Sequence, residues 1–314
     1  MSCEPLRVLV QLREALVERV AERAPGVALA TVPWEGELPP NTRGEVLLTL
    51  PWASPNLPQL LASGVRWIHL LGTGIDRFPL DRLGADQILT CSRGASAIPI
   101  AEWVLAVMLA FEKRLPDTWI HAAPARWSRA DLGGLYGRTL GLVGIGGIGR
   151  AVAERARPFG MRVLVHRRTA AAAGVDGVER VESLVDLVAA SDHIVIAAPA
   201  TPATHHLFSA EIFAAIKPGA HLINVSRGAL VDQDALRAAL DDGRVAMASL
   251  DAVDPEPLPD GHWLYGHPRV RLSPHISWHM PGAVELLIEP FIDNLERYRA
   301  GADLTGVVDR GERY

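Results

Sequence analysis

The chain has 314 residues, enough for two domains of ordinary size. Hydrophobic residues make up 49% and charged residues 21%, which excludes a disordered chain and predicts a substantial core. A net charge of −5 excludes the uniform basic field needed for non-specific binding to nucleic acid or an anionic membrane, so neither partner is expected.

Short runs of β-branched and apolar residues at 7–10, 27–32, 46–50, 65–71 and 88–91 predict strands. Residues 12–24 and 57–63 between them predict helices, and this alternation makes an α/β layer with a mainly parallel sheet. A long helix follows from Ser96, a potential cap, to about 114, with Pro116 beyond its end. It is apolar nearly all round, which predicts burial between domains or subunits. Residues 103–111 within it form the longest uncharged apolar run, too short to span a bilayer. A second series of strands is predicted at 139–143, 162–165, 193–197, 221–225, 245–250 and 270–272, with helical patterns between. Residues 284–299 read as a terminal amphipathic helix closed by Gly301.

Cys3 and Cys91 make no disulfide framework, and neither has a second Cys or a His at ligand spacing, so no metal is expected. Residues 1–5 lack the basic start and apolar stretch of a secretory signal, which predicts a cytoplasmic protein. Lys113 and Lys217 are the only lysines among 31 basic residues. The arginine excess is spread along the chain and reads as codon bias.

Gly144-x-Gly146-x-x-Gly149 falls between a predicted strand and a predicted helix at 148–159, with another strand after it. In that context the pattern is a dinucleotide fingerprint. The first glycine allows the tight turn, the second lets the backbone approach a pyrophosphate, and the third permits close helix–strand packing. Gly147 and Ile148 complete the loop. The second strand of such a unit ordinarily ends in an acidic residue that holds the ribose 2′-hydroxyl of NAD. Here the residues are His166, Arg167 and Arg168, and two guanidiniums suit a 2′-phosphate. NADP(H) is therefore the preferred cofactor, while NAD(H) use stays open, since an arginine can also stack on adenine or stand in solvent.

Three further segments follow in order: Ile223-Asn224-Val225-Ser226-Arg227-Gly228, Asp251-Ala252-Val253-Asp254-Pro255-Glu256-Pro257-Leu258-Pro259, and Leu272-Ser273-Pro274-His275-Ile276. With the glycine loop, they resemble the D-isomer-specific 2-hydroxyacid dehydrogenases over nearly the whole chain. The resemblance implies an α/β architecture in which a Rossmann dinucleotide-binding domain, residues 94–282, is inserted into a split flavodoxin-like substrate domain, residues 1–93 and 283–314. It also implies a homodimer formed through the helix that begins at Ser96.

The chemistry of such a family needs a cation for the substrate carboxylate, a proton donor for the reduced carbonyl oxygen, and a group to orient that donor. Arg227 follows a predicted strand, where its guanidinium can point into the ligand cleft of an open sheet, and by resemblance it grips a 2-oxo acid. His275 titrates near neutrality and can protonate the nascent alkoxide. Glu256 would raise its pKa and fix its tautomer. Thr73 and Gly74, after a strand of the first domain, resemble the family's substrate loop, whose N–H groups bind the carboxylate; a plain turn is the alternative. Asp251 resembles the family's acidic contact to the nicotinamide side, with a loop cap as the rival role. Ala198, Pro199 and Thr204 resemble a cofactor-lining loop, and Val225, Ser226, Arg227 and His275 are also expected to face the cofactor.

Two departures stand out. Where many relatives have small residues after the catalytic His, this chain has Ile276-Ser277-Trp278-His279. Trp278 would narrow the substrate pocket, pack on the nicotinamide, or simply fill the domain junction. Secondly, nothing after 314 corresponds to the regulatory domain of some phosphoglycerate dehydrogenases, so feedback through such a domain is not expected. The expected activity is NAD(P)H-dependent reduction of a small 2-oxo acid, of the glyoxylate or hydroxypyruvate kind, to the D-2-hydroxy acid. The alternatives are an NAD-dependent phosphoglycerate-type dehydrogenase, with Arg77 and Arg93 as phosphate candidates, and a non-catalytic, nucleotide-sensing protein like the corepressors that resemble this family.

Overall fold

The computed structural model describes residues 5–124, 127, 131–168 and 175–312; Cys3 lies outside them. In chain order the elements are β1 (Arg7–Val10), α1 (Glu14–Arg23), β2 (Ala28–Thr31), β3 (Val46–Thr49), α2 (Leu57–Leu61), β4 (Trp67–Leu70), β5 (Ile88–Cys91), α3 (Ala97–Lys113), β6 (Thr139–Val143), α4 (Gly147–Ala156), β7 (Arg162–His166), β8 (Val178–Arg180), α5 (Leu184–Ala190), β9 (His193–Ile196), α6 (Ala210–Ala215), β10 (Ala220–Asn224), α7 (Gln233–Asp241), β11 (Val245–Leu250), α8 (Trp263–Gly266), β12 (Val270–Leu272) and α9 (Ala283–Arg299). They divide into two compact units, one made of Met1–Ser96 and Pro281–Tyr314, the other of Ala97–Met280.

The discontinuous unit carries a parallel sheet in the order β2-β1-β3-β4-β5, the flavodoxin-like strand order. Its strands are apolar on both faces because helices cover both. On one face Val8, Val10, Val46, Leu48 and Trp67 pack with Val20 of α1 and with Ile288, Phe291 and Leu295 of α9. The indole of Trp67 stacks on Phe291 and Tyr298, at ring-centroid distances of 5.5 and 5.3 Å. The last helix is thus built into this core, and ion pairs Arg19–Glu285 and Arg23–Glu289 join α1 to α9 at the surface. Within the sheet His69 is fully buried, with Nδ1 2.8 Å from Thr90 Oγ1 and Nε2 3.2 Å from Ser92 Oγ. Burial without a charged partner lowers its pKa to about 3, so the ring is neutral.

The continuous unit carries a parallel sheet in the order β12-β11-β10-β9-β6-β7-β8. Starting from β6, the chain winds outward to β8, returns to β9 beside β6, and winds outward again to β12. This is the doubly wound Rossmann arrangement, with its switch point between β6 and β9. Helix α3 covers one face together with α4: Ile100, Ala101, Val104, Leu105 and Met108 pack in one layer with Leu140, Leu142, Val163, Val195 and Ile223. The opposite layer includes Leu187, Ile194, Ile196, Leu222, Leu236, Leu240 and Ala248. Among the described residues no helix is long and apolar enough to cross a membrane.

Candidate active site

Because all strands of the continuous unit are parallel, their carboxyl ends line one edge of the sheet, the edge where open α/β sheets bind ligands. At β6 this edge carries the glycine loop. Gly144 has φ 98°, and a Cβ there would lie 2.8 Å from the Ala197 carbonyl oxygen. A Cβ on Gly149 would lie 2.4 Å from the Gly144 carbonyl oxygen, so only glycine lets α4 start this close to the strand. At Gly146, the residue preceding α4, a Cβ would meet nothing within 4 Å. The helix N-terminus is therefore open where a pyrophosphate would approach, with first-turn N–H groups that have no partner within the helix. Each glycine meets the physical requirement for a bound dinucleotide. Gly147 and Ile148 form the first turn of α4.

At the neighbouring end, β7 closes with His166, whose carbonyl accepts from the Gly144 N–H at 3.0 Å and whose Nδ1 lies 3.2 Å from the Val181 carbonyl. Arg167 is half-buried and Arg168 exposed. The sequence places no carboxylate at this strand end.

After β9, Ala198 and Pro199 form a loop whose shape is fixed by two hydroxyls. Thr204 Oγ1 donates to the Pro199 carbonyl at 2.8 Å and accepts from the Thr201 N–H at 2.8 Å, while Ser226 Oγ donates to the Ala198 carbonyl. Thr204 and Ser226 therefore brace this loop with their side chains.

Arg227 follows β10, after the buried Val225. Its backbone is set by Asn224, a fully buried residue whose Nδ2 donates to the Arg227 carbonyl (2.9 Å) and the Ala252 carbonyl (3.3 Å), and whose Oδ1 accepts from the Ser226 N–H (3.1 Å). Gly228 then allows backbone contact with the next loop: a Cβ on it would stand 1.9 Å from the Val253 carbonyl carbon. That approach brings the Arg227 segment beside the loop that carries Glu256.

Glu256 Oε1 accepts from the Val253 N–H at 3.0 Å, and its Oε2 lies 2.9 Å from His275 Nδ1. Burial by itself would raise the Glu256 carboxyl. The hydrogen bonds from His275 and Val253, with the positive charges of His275 and Arg227, outweigh it and hold the group below its ordinary value. An ionised carboxylate only accepts, so Nδ1 carries the hydrogen and Nε2 is the nitrogen left for chemistry.

His275 has φ 55°, a left-handed conformation uncommon outside glycine. Asp251, 2% exposed at the end of β11, holds the loop around it. Its Oδ1 accepts from the Ile276 N–H (2.9 Å) and from Ser273 Oγ, and its Oδ2 from the Ser277 N–H (2.9 Å). These bonds make Asp251 a cap for the loop that carries His275. Trp278 is half-buried against the apolar core shared by α3, α4 and the sheet, and its Nε1 donates to the His275 carbonyl at 3.1 Å.

Thr73 and Gly74 belong to the other unit, in the loop after β4. Gly72 has φ 153°, and a Cβ there would lie 2.6 Å from Pro51 Cγ, so this loop packs against the one after β3. Thr73 Oγ1 donates to the Ser92 carbonyl at 3.2 Å. No group of three or more His, Cys, Asp or Glu among the described residues could hold a metal ion.

Asn224 and Gly228 carry their structural roles in the sequence as a polar residue ending a buried strand and a glycine straight after the arginine.

Residues 105–277 match the family model described as D-isomer specific 2-hydroxyacid dehydrogenase, NAD binding domain. The chain belongs to this family. Relatives include (S)-sulfolactate dehydrogenase of Chromohalobacter salexigens, 33% identical over 74% of this chain and 77% of that protein. D-3-phosphoglycerate dehydrogenase of Methanocaldococcus jannaschii is 32% identical over 63% of this chain, which spans only 39% of that longer protein. Glyoxylate reductase of Thermococcus gammatolerans is 33% identical over 64% of this chain and 63% of its own length. Among solved structures, a D-isomer specific 2-hydroxyacid dehydrogenase from Xanthobacter autotrophicus Py2, in complex with NADPH and MES, matches with a TM-score of 0.86 and 26% identity, covering 99% of this chain and 100% of the other. An oxidoreductase of the 2-hydroxyacid dehydrogenase type, with a dinucleotide-binding Rossmann domain, follows from these matches.

Proposed function

We propose that the protein is a cytoplasmic reductase of small 2-oxo acids, of the glyoxylate and hydroxypyruvate kind, forming the D-2-hydroxy acid with NADP(H) as preferred cofactor. The observation that carries this reading is the 2.9 Å pairing of His275 with Glu256, with Arg227 near enough to lower the Glu256 pKa. A bound reduced nicotinamide supplies the hydride. Arg227 binds the substrate carboxylate and carbonyl oxygen. As the carbonyl carbon takes the hydride, His275 delivers its Nε2 proton to the oxygen, and Glu256 stabilises the imidazolium beforehand. Gly144, Gly146, Gly147, Ile148 and Gly149 cradle the pyrophosphate, and the segments at Ala198, Pro199, Val225 and Ser226 line the cofactor.

The preference for NADP(H) rests on Arg167 and Arg168 standing where an acidic residue would repel a 2′-phosphate. The Xanthobacter relative, which carries NADPH, accords with it. A homodimer through α3 is supported by Ile98, exposed on that helix, and the half-buried Trp103 and Val107. Comparable identity to a phosphoglycerate dehydrogenase favours, as second reading, NAD-dependent oxidation of a phosphorylated acid.

The test is the reduced-nicotinamide absorbance with NADPH and NADH in parallel, against glyoxylate, hydroxypyruvate, pyruvate, bulkier 2-oxo acids and phosphohydroxypyruvate. Faster turnover of glyoxylate or hydroxypyruvate with NADPH is expected. Preference for phosphohydroxypyruvate with NADH supports the second reading, and cofactor binding without any turnover supports a sensing role instead.

A further inference from the structure

The His275 main chain is bent into the left-handed region, and three groups hold it there. Its own N–H donates to the Ser273 carbonyl at 3.0 Å, and Asp251 takes the next two N–H groups at 2.9 Å each. The Trp278 indole then donates to the His275 carbonyl at 3.1 Å. The Ser273 bond acts on the His275 N–H, while Asp251 and the indole hold opposite sides of the peptide that follows, Asp251 at the Ile276 N–H and the indole at the His275 carbonyl. The indole ring packs against the apolar core shared by α3, α4 and the sheet, so it links the rigid part of the fold to the carbonyl of His275. An indole is a donor only and seeks a partner when buried, and the partner available is that carbonyl.

We propose that Trp278 is a positioning residue for the proton donor, in a role that rests on the functional reading above. By fixing the carbonyl of His275, the indole N–H works with the Asp251 bond to the Ile276 N–H to hold the peptide plane from which the imidazole projects, keeping Nδ1 on Glu256. The ring thereby governs how often the enzyme is ready to transfer the proton, rather than which substrate enters. This assignment differs from a pocket wall, in which the size of the ring would set the size of the substrate.

Two replacements separate these roles. Trp278→Phe removes the N–H with some loss of packing. Incorporation of benzothienylalanine at position 278 keeps the shape of the indole with sulfur in place of the N–H, and so tests the bond in a folded enzyme. Each is expected to lower kcat about tenfold, as for loss of one hydrogen bond, with KM for cofactor and 2-oxo acid within about twofold and the order of substrate preference unchanged. In a Glu256→Gln background the further loss from Trp278→Phe should vanish, because both changes disturb the same imidazole. A purely structural role would multiply the two losses.

Full kcat in the benzothienylalanine enzyme overturns the assignment, as do additive losses in the double variant. A Trp278→Ala enzyme that gains activity on bulkier 2-oxo acids makes the ring a pocket wall and overturns it too. Absence of turnover by the unaltered enzyme with every 2-oxo acid sinks the functional reading and this assignment with it. Turnover by the unaltered enzyme with no change on replacement sinks this assignment alone.

Discussion

The Oε2 of Glu256 lies 2.9 Å from Nδ1 of His275, while its Oε1 is tied to the Val253 N–H at 3.0 Å. The second bond fixes the carboxylate to its own loop, and the first fixes the imidazole to the carboxylate. A ring held by Nδ1 has one nitrogen left for chemistry, and its tautomer is set by the charge on Glu256.

Glu256→Gln keeps the shape and removes that charge. We expect kcat to fall roughly tenfold to a hundredfold, with the dissociation constant for NADPH unchanged, since the change touches proton delivery and not the glycine loop. Steady-state kinetics with cofactor titration by fluorescence checks both halves. An equal loss of NADPH binding would place Glu256 in the cofactor site.

Gly228→Ala drives a Cβ to within 1.9 Å of the Val253 carbonyl carbon, a backbone atom that cannot swing aside. The cost in stability is about 1–3 kcal/mol, visible as a lower Tm. Because the displaced segment carries Arg227, KM for the 2-oxo acid should rise more than KM for NADPH. Equal changes in both would mean that the loop contact does not position Arg227.

Arg167→Asp puts a carboxylate where the 2′-phosphate is assigned. KM for NADPH should rise roughly tenfold to a hundredfold while NADH use is retained or improved, the range expected for a charged hydrogen bond reversed in sign. Unaltered NADPH kinetics would remove the assignment.

Acid should destabilise the fold well before its carboxylates titrate. The His69 pKa is lowered by burial from 6.5 to about 3, and that of the fully buried His221 is lowered well below 6.5 by burial and then by the charge of His193. The unfolded chain therefore takes up protons near pH 6.5 that the folded chain refuses, and stability present above that pH is lost as pH falls. Each such group contributes a slope of about 1.4 kcal/mol per pH unit once its unfolded form is protonated. Glu112 adds to this lower down. Its burial would raise the carboxyl, but the hydrogen bond from His193 and the charges of Arg138 and His193 hold it below its ordinary value. Thermal melts between about pH 4 and pH 8 should show Tm declining below about 6.5. His69→Asn should melt lower throughout but with a shallower slope, and an unchanged slope would contradict the assignment.

The glycine loop was legible in the sequence because Gly144 and Gly149 answer separate steric demands that no other residue meets and Gly146 leaves the helix N-terminus open, and the parallel strands because their apolar runs are interrupted at regular intervals. The edge strand Val178–Arg180 was not, since a three-residue strand with one apolar member has no period to detect. His193 begins β9 and His221 is the second residue of β10, and neither gave a sign of their line of bonds. In the fold Glu112 lies 3.1 Å from His193, the Nδ1 atoms of the two rings are 3.3 Å apart, and His221 lies 2.9 Å from Ser249. Those contacts join residues 28 to 81 positions apart, beyond the reach of local pattern. Asp251 and Trp278 are similar: which atom each side chain binds depends on the left-handed turn at His275, and nothing in the identity of a histidine announces that turn.

Proton transfer from His275 to a 2-oxo acid reduced on this scaffold is measured by following loss of reduced-nicotinamide absorbance for the unaltered enzyme and for His275→Asn, with NADPH and hydroxypyruvate or glyoxylate. The unaltered enzyme should oxidise NADPH, and His275→Asn should bind it with the same affinity yet oxidise it at least about a hundredfold more slowly. Oxidation at the unaltered rate by His275→Asn, or none by the unaltered enzyme with any 2-oxo acid, would contradict the account.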